Sequence, residues 1–445
     1  MDRPAEHTVQ PPGEEIATLD QPDAAASQSG QRAFVSTGRI ETIPYLKLLL
    51  LSALLGLISA TITFAFFALV RLGHALVWTR IEQASGLSAP VFTLAVCSLG
   101  GLLVGILVRI FGDHTGVFAE IMVQFGRTGR FKYRQAPGMV ITSLVSLIAG
   151  GSLGPEAPLA DACGSLGTLM SEKLKLDEKQ TRSLGFSGIG AMLAAFITSP
   201  FGGALLGLES AHTGVDYVWT LFPTLVASSF STVAFVLLSG SFFHVLYRFP
   251  DYEPHFVDLI SAVPLGLIGA LAGAIFILGF DYLSKLMRPL NRHVVLRGLI
   301  GGMGLGIAGA LLPLTLFSGV AETGDIIRRA EEIGATGLVV LALVKLLVTT
   351  LCMASGWKGG YILPTLFAGA ALGTAVHLLF PGIPEAVAVA GTAGGALVTT
   401  MKAPVFSALF VMALVQRETS PVIAIAVVAA ALATAKLRIQ STQTA

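Results

Sequence analysis

Charged residues are scarce in this sequence. Asp, Glu, Lys and Arg make up 12% of its 445 residues, whereas about a quarter of a soluble globular protein is charged. The 28 basic and 27 acidic side chains nearly cancel to a net charge of +1, so there is no basic surplus for binding nucleic acid. With 53% hydrophobic residues, the composition argues against a soluble enzyme and indicates a protein folded in lipid.

Cysteines are few and the common enzyme motifs are lacking. The three cysteines lie inside apolar segments without CxxC spacing or flanking histidines, which predicts buried packing residues and neither a disulfide framework nor a metal site. The sequence contains no HExxH, GxSxG or P-loop pattern. We therefore expect no enzymatic activity and no cofactor.

Long uncharged stretches are abundant. Seven of them contain no Asp, Glu, Lys or Arg, and each is long enough to cross a ~30 Å hydrocarbon layer as a helix; they span 83–108, 135–155, 183–208, 217–247, 259–280, 298–321 and 359–384. Three more are interrupted only by Lys47, Lys345 or Lys402. The pattern predicts an all-α polytopic membrane protein with ten or more hydrophobic segments, because β-barrel strands would alternate over about ten residues instead.

The ends of the chain differ from this apolar body. Residues 1–42 hold ten charged side chains and are rich in Pro, Ala, Gln and Ser, which predicts a disordered cytoplasmic tail and a first helix near Pro44. We expect a transmembrane domain over 43–437 and a short C-terminal tail over 438–445.

The loop charges predict the orientation. The loops 126–134, 171–182 and 285–297 each carry four Lys or Arg, whereas 246–259 has a single Arg among several acidic residues. Short cytoplasmic loops carry the excess of basic residues. We therefore place the three basic loops and both chain ends inside, and the acidic loop outside, in a multi-pass protein of the cell membrane.

Two motif pairs recur in the same order along the body. The segment 149–167 (AGGSLGPEAPLADACGSLG) resembles 358–373 (KGGYILPTLFAGAALG), and 188–209 resembles 394–414. This repetition predicts that the body consists of two homologous halves. The halves have opposite orientations in the membrane if the acidic loop lies outside. Such inverted repeats are typical of secondary transporters, with the site between the repeats near the midplane. The predicted halves comprise about 44–247 and 258–437.

The glycine-proline segments predict helices that begin in mid-membrane. Glycine permits non-helical backbone, and proline suits the first helical turn because its missing N–H is not needed there. The first N–H groups of such a helix have no intrahelical partner, and the helix dipole adds partial positive charge, so they can bind an anion. The alternative is that the kinks serve packing alone. The predicted anion-binding residues at the two starts are Ser152, Leu153, Gly154, Pro155, Gly360, Tyr361, Ile362 and Leu363.

In this order, the motifs resemble the CLC family of chloride channels and proton-coupled chloride antiporters over about residues 44–435. The resemblance implies a CLC-like inverted repeat of tilted and broken helices, with chloride held by helix N-termini. It also implies a homodimer with one anion pore per subunit. In the family, a third helix start places a hydroxyl on the central anion; here Thr115 and Gly116 are the candidates, although the proline of that motif is absent.

The sequence departs from the family pattern at its carboxylates. The gating glutamate of the family precedes a Gly-Pro pair, and Leu153 stands at that position. Glu156 follows the pair directly, so it is a candidate gating or proton-handling residue; the alternative is a structural role, in which it caps its own helix or bonds to protein. The inner proton-handling glutamate of the family aligns with Ser210. Its neighbour Glu209 is the second candidate for proton transfer. The alternative is a structural or interfacial role, because helical neighbours face directions about 100° apart.

The predicted function is transmembrane transport of chloride or a similar small anion. Loss of the outer carboxylate removes a group that competes with chloride and carries protons, which favours passive or weakly gated conduction over chloride/proton exchange. The family's inner-gate tyrosine is also missing from the final segment LATAKLRIQSTQTA. A larger organic substrate would need aromatic and polar side chains lining its cavity, so an inverted-repeat carrier for another solute is the alternative, and a membrane-embedded enzyme is a distant third.

Overall fold

Helices account for nearly all of the regular structure in the described part of the chain. The described residues contain no β-strand beyond one isolated bridge, so the predicted all-α fold is confirmed. The predicted N-terminal tail lies outside the described residues. In this computed structural model, the described residues are 42–113, 118–210, 217–240, 249, 252–253, 255–415 and 417–437.

The first half begins with a long apolar helix. Helix α1 (Thr42–Ala75) starts close to the predicted position and continues through a π-helical turn (Leu76–Ile81) into α2 (Glu82–Ser85). The other helices of this half are α3 (Ala89–Phe111), α4 (Phe118–Thr128), α5 (Ala136–Ile148), α6 (Glu156–Lys173), α7 (Glu178–Ile197), α8 (Pro200–Ser210) and α9 (Tyr217–Ser239).

The second half follows a similar order. It opens with another long helix, α10 (Phe256–Met287), and two 3-10 turns (Arg288–Arg292 and Pro313–Thr315) flank the next helix. A third 3-10 turn (Arg417–Thr419) precedes the last helix. The remaining helices are α11 (Val294–Leu311), α12 (Val320–Arg328), α13 (Ala330–Ala354), α14 (Ile362–Leu379), α15 (Glu385–Met401), α16 (Pro404–Leu414) and α17 (Ser420–Ala433).

Helix lengths match a multi-pass membrane protein. Within the described ranges, seven helical spans are long and apolar enough to cross a bilayer, and the shorter apolar helices α5, α15, α16 and α17 join them. Leu, Ile and Phe side chains are exposed along α1 and α10, where lipid would cover them, whereas α14 and α15 are buried along most of their length. The buried centre therefore includes α14, the helix that follows the second predicted break, and α15, the helix after it.

The first motif pair breaks helices at corresponding points. Helix α5 ends at Ile148 and α6 begins at Glu156, while α13 ends at Ala354 and α14 begins at Ile362. Both breaks fall where the glycine-proline segments predict them. In lipid, such irregular backbone is tolerated only where protein buries it or where it lines a cavity.

The second motif pair shows the same correspondence. Helices α7 and α15 are each followed by a non-glycine residue in the left-handed region, Thr198 (φ 49°) and Lys402 (φ 55°). Helices α8 and α16 then begin at Pro200 and Pro404, in agreement with the tolerance of the first turn for proline. The order of elements thus repeats between the halves, and their opposite orientation stays a prediction.

Candidate anion site

The two helix breaks are joined by a pair of backbone hydrogen bonds. The Gly154 N–H donates to the Gly360 carbonyl at 2.8 Å, and the Gly360 N–H donates to the Gly154 carbonyl at 2.6 Å. This antiparallel bridge brings the start of α6 next to the start of α14. The two predicted anion-binding segments, one from each half, therefore meet at one place.

The carboxylate of Glu156 lies at the start of α14. Its Oε1 atom accepts a hydrogen bond from the Ile362 N–H at 2.6 Å, and the side chain is fully buried. Its Oε2 atom has no hydrogen-bond partner of good geometry among the described residues. The N–H group that was predicted to bind an anion thus binds a carboxylate oxygen, which is itself a small, negatively charged acceptor.

Two glycines provide the space for this carboxylate. A Cβ atom added to Gly154 or to Gly360 would overlap atoms of the Glu156 carboxylate. Neither glycine has a positive φ. Glycine is therefore required at both positions because the carboxylate lies so close to the backbone, and not because the backbone conformation is unusual. The glycines that the sequence identified as helix breakers therefore also hold Glu156 against α14.

Ser152 and Leu153 are fully buried beside the bridge. The hydroxyls of Ser152 and Thr349, which belongs to α13, lie 3.0 Å apart. Leu153 belongs to the apolar core. Pro155 immediately precedes α6 with φ −81°, which is close to the fixed φ of proline.

The residues at the start of α14 are also buried. The ring of Tyr361 lies 5.1 Å from that of Phe276, and its hydroxyl is 3.5 Å from the carbonyl of Thr400. Leu363 is 5% exposed. The side chains of Tyr361 and Leu363 therefore pack in the core, while the backbone of this turn faces Glu156. Thr115 and Gly116, the other two candidates, lie outside the described residues.

Glu209 is bound to a second helix start. Its Oε1 accepts from the Val405 N–H at 2.6 Å, and its Oε2 accepts from the Phe406 N–H at 2.7 Å. Both donors belong to the first turn of α16. The carboxylate therefore caps a helix of the other half. This contact agrees with a structural role for Glu209, the alternative to proton transfer.

A cluster of charges that sequence reasoning missed lies next to the predicted Thr115 segment. The carboxylate of Asp113 contacts both the Arg297 guanidinium and the Lys358 ammonium, and the Lys358 Nζ–Asp113 Oδ1 distance is 3.0 Å. Both cations are about 95% buried. Two of its members could have been noticed in the sequence from their positions beside the predicted motifs. Asp113 stands two residues before Thr115, and Lys358 stands directly before the Gly359-Gly360 pair.

Lys345, noted in the sequence only as an interruption of an apolar stretch, is fully buried in α13. Its ammonium donates to the carbonyls of Thr315, Leu316 and Phe317 at 3.1, 2.7 and 2.8 Å. These three bonds use all the donors of a lysine. Phe317 in turn donates its N–H to the Gly150 carbonyl at 3.1 Å, so Lys345 supports the backbone beside the first helix break.

A model of the voltage gated chloride channel family matches residues 100–436, well over half of the chain and including both helix breaks. The chain belongs to the voltage-gated chloride channel (CLC) family. It is therefore a multi-pass membrane protein of a family that transports anions, as its resemblance to that family implied. The family assignment covers the Gly154–Gly360 bridge, Glu156 and the start of α14.

Curated relatives of this CLC chain are bacterial ion-transport proteins. The protein is 26% identical over 344 residues to the ion-transport protein YfeO of Escherichia fergusonii, and 27% identical over the same length to that of Escherichia coli. Each match covers 75% of this chain and 80% of the relative.

Solved structures of CLC proteins share the fold. A slow cyanobacterial Cl⁻/H⁺ antiporter superimposes with a TM-score of 0.75 at 22% identity, over 88% of this chain and 95% of the other. A CLC-type fluoride/proton antiporter gives a TM-score of 0.73 at 18% identity, over 88% and 96% of the two chains. The predicted CLC-like architecture is thus confirmed.

Proposed function

We propose that this CLC protein carries chloride or another small monovalent anion across the cell membrane, and that Glu156 competes with the anion for the Ile362 N–H. The observation that supports the proposal is the hydrogen bond from that N–H to Glu156 Oε1, at 2.6 Å. Two acceptors cannot occupy one N–H group at full strength, so the carboxylate has to leave before the anion binds. Protonation removes the charge that makes it a strong acceptor.

The mode of transport that we propose is passive conduction, activated by acid. The sequence favoured passive conduction because Leu153 aligns with the position of the family's gating carboxylate. The hydrogen bond between Glu156 and the Ile362 N–H suggests Glu156 as the gate instead. Glu209 is engaged through both of its oxygens at the start of α16. An inner carboxylate free to pass protons to Glu156 is therefore missing from that position, so protonation of Glu156 would open the path without driving coupled proton movement.

Chloride/proton exchange is the second candidate. It is favoured by the presence of a titratable group at the anion site itself, and two CLC proteins of the same fold are a chloride/proton and a fluoride/proton antiporter. In both candidates, Glu156 has to release the Ile362 N–H. They differ in whether each release is linked to net proton transfer across the membrane.

The deciding experiment uses the protein reconstituted in liposomes under a chloride gradient, with anion flux and internal pH followed together. Passive conduction predicts a flux that rises on acidification and no uphill movement of protons. Proton uptake against its own gradient, driven by chloride, would instead establish exchange. Absence of flux for chloride, fluoride, nitrate and bromide would favour a carrier for another solute.

The variant Glu156→Gln tests the role of this carboxylate. A glutamine is neutral at every pH, so we expect flux at neutral pH to rise to the level that the unmodified protein reaches in acid, and its pH dependence to disappear. Glu385→Gln is the matched control. Glu385 is a partly buried carboxylate at the start of α15, whereas the opposite end of that helix, at Thr400, lies beside Tyr361. Unchanged flux and pH dependence in Glu156→Gln would mean that Glu156 only packs.

We also propose a homodimer in the cell membrane, with an anion pore in each subunit and both chain ends in the cytoplasm. The support is the distribution of basic loops and the family resemblance. Labelling of single introduced cysteines in the basic and acidic loops with a membrane-impermeant reagent tests this orientation, and reversal of the labelling pattern would overturn it.

A further inference from the structure

An open apolar groove lies between helices α5 and α6. Its volume is about 370 Å³, and its lining includes Tyr133, Val140, Ile141, Ala162, Ser165 and Leu169. This volume falls within the range of ~300–1,000 Å³ that is typical of small-molecule sites. The groove is separate from the anion site, which lies at the opposite end of α6.

The groove contains one polar group that the protein does not satisfy. Ser165 is 2% exposed, and its hydroxyl has no hydrogen-bond partner in the described part of the chain. Its neighbours on α6 are satisfied, since Thr168 donates to the Gly164 carbonyl and Ser171 donates to the Thr168 carbonyl. A buried hydroxyl without a partner is unfavourable, so Ser165 indicates a ligand that carries a hydrogen-bond acceptor.

The loop at one end of the groove is basic. Tyr133 lines that end, and its chain neighbours Lys132 and Arg134 are both exposed. Arg130 in the same loop pairs with Glu172 at the end of α6, with an N–O distance of 3.5 Å between two exposed groups. Such a surface pair is weak, so this end of the groove keeps its attraction for an anionic group.

The order of these features along the groove is that of a phospholipid. Helix α6 rises about 1.5 Å per residue, so Leu169 lies near the basic end, Ser165 one turn further along, and Ala162 nearly another turn beyond. A charged end is therefore followed by a hydrogen-bond donor and then by an apolar channel. Phosphate, ester carbonyl and acyl chain follow one another in the same order.

We propose that this groove binds an anionic phospholipid. Its acyl chain lies against Val140, Ile141 and Ala162, its ester carbonyl accepts a hydrogen bond from Ser165, and its phosphate lies near Arg134. Basic pockets between membrane helices bind anionic headgroups in this way. The site lies on the helix that begins with Glu156, but the proposal does not depend on the transport mode.

The test is native mass spectrometry of the purified full-length protein with phosphatidylglycerol or phosphatidylcholine of identical acyl chains. We expect preferential retention of phosphatidylglycerol. Ser165→Ala removes one hydrogen bond and should weaken binding of both lipids by about threefold to tenfold. Arg134→Gln should reduce the preference for phosphatidylglycerol, and Ala162→Phe should block the groove.

Arg292→Gln is the control, because Arg292 is an exposed residue of a different basic loop and its loss should leave binding unchanged. Equal retention of the two lipids, or unchanged binding in Ser165→Ala and Arg134→Gln, would overturn the proposal. Cross-linking between copies through Ile141→Cys, with no lipid retained, would also overturn it by showing that a second copy of the chain covers the groove. If Ala162→Phe fails to fold, the two milder variants still decide the question.

Discussion

Glu156 is a buried carboxylate with only part of its hydrogen-bonding capacity used. One oxygen accepts from the Ile362 N–H, and none of the described residues donates a hydrogen bond of good geometry to the other. A buried carboxylate without full hydrogen bonding is unfavourable, which suits a group that has to leave its site during function. Its position after a glycine-proline pair identified it as a candidate from sequence, but its partner lies 206 residues away, beyond the reach of any local pattern.

Gly360→Ala tests how closely Glu156 is held. The added Cβ would overlap the carboxylate, so we expect Glu156 to lose its contact with Ile362 and anion flux at neutral pH to rise. Overpacking of a tight interior costs about 1–3 kcal/mol, so thermal unfolding in detergent should occur at a lower temperature. Both quantities are measured on one preparation.

Gly126→Ala is the matched control for this glycine, because a Cβ added there meets no atom within 4 Å. It should change neither flux nor unfolding temperature. A less stable Gly360→Ala protein with unchanged flux would mean that Gly360 serves packing alone.

At the scale of elements, broken helices leave backbone carbonyls that lipid cannot satisfy. At the end of α5, a ring nitrogen of His74 lies 3.0 Å from the Leu147 carbonyl, and the Trp78 N–H donates to the Ile148 carbonyl at 2.8 Å. Prolines and glycines in the sequence located the breaks correctly. The side chains that satisfy these carbonyls come from helices distant in sequence, so they could not be predicted.

Glu209→Gln tests whether this carboxylate is only a helix cap. A glutamine has a single acceptor oxygen and no charge, so one N–H of α16 and the favourable dipole interaction are lost. We expect the free energy of unfolding to fall by about 1 kcal/mol, with the pH dependence of flux unchanged. Chemical denaturation in detergent and the liposome flux assay measure the two effects.

Glu178→Gln provides the comparison, because Glu178 is an exposed acid in the first turn of α7. Its replacement should have a smaller effect on stability. A Glu209→Gln protein whose flux no longer responds to pH would place Glu209 in a proton path and contradict the cap assignment.

At the scale of the whole molecule, the Asp113 cluster joins three distant parts of the chain. Asp113 follows α3, Arg297 lies in the first turn of α11, and Lys358 precedes α14. The partners of Asp113 are 184 and 245 residues away. Sequence reasoning found the two repeats and most of the residues around Glu156 because these have local motifs, whereas it missed the cluster because each member is an isolated charge.

This cluster should make stability depend on pH. Burial raises the pKa of Asp113, but the charges and hydrogen bonds of Lys358 and Arg297 lower it more, so its pKa lies below the ordinary value. The unfolded carboxyl group therefore takes up a proton at higher pH than the folded one. The stabilisation is present above the unfolded pKa and is lost as the pH falls through the folded pKa.

Asp113→Asn should remove this contribution. We expect a lower unfolding temperature at neutral pH and a smaller further decrease on acidification than in the unmodified protein, measured by thermal unfolding across a pH series. Glu332→Gln, which breaks the exposed pair with Arg329, should have little effect. Parallel pH curves for the unmodified protein and Asp113→Asn would refute the assignment.

The Gly154–Gly360 bridge also limits how the protein can move. Many carriers built from inverted repeats rock one repeat against the other around a central site. Here such a motion would break two backbone hydrogen bonds at that site in every cycle. Under the proposed function, the bridge keeps the two helix starts together, and the swing of Glu156 away from α14 is the movement that each anion passage requires.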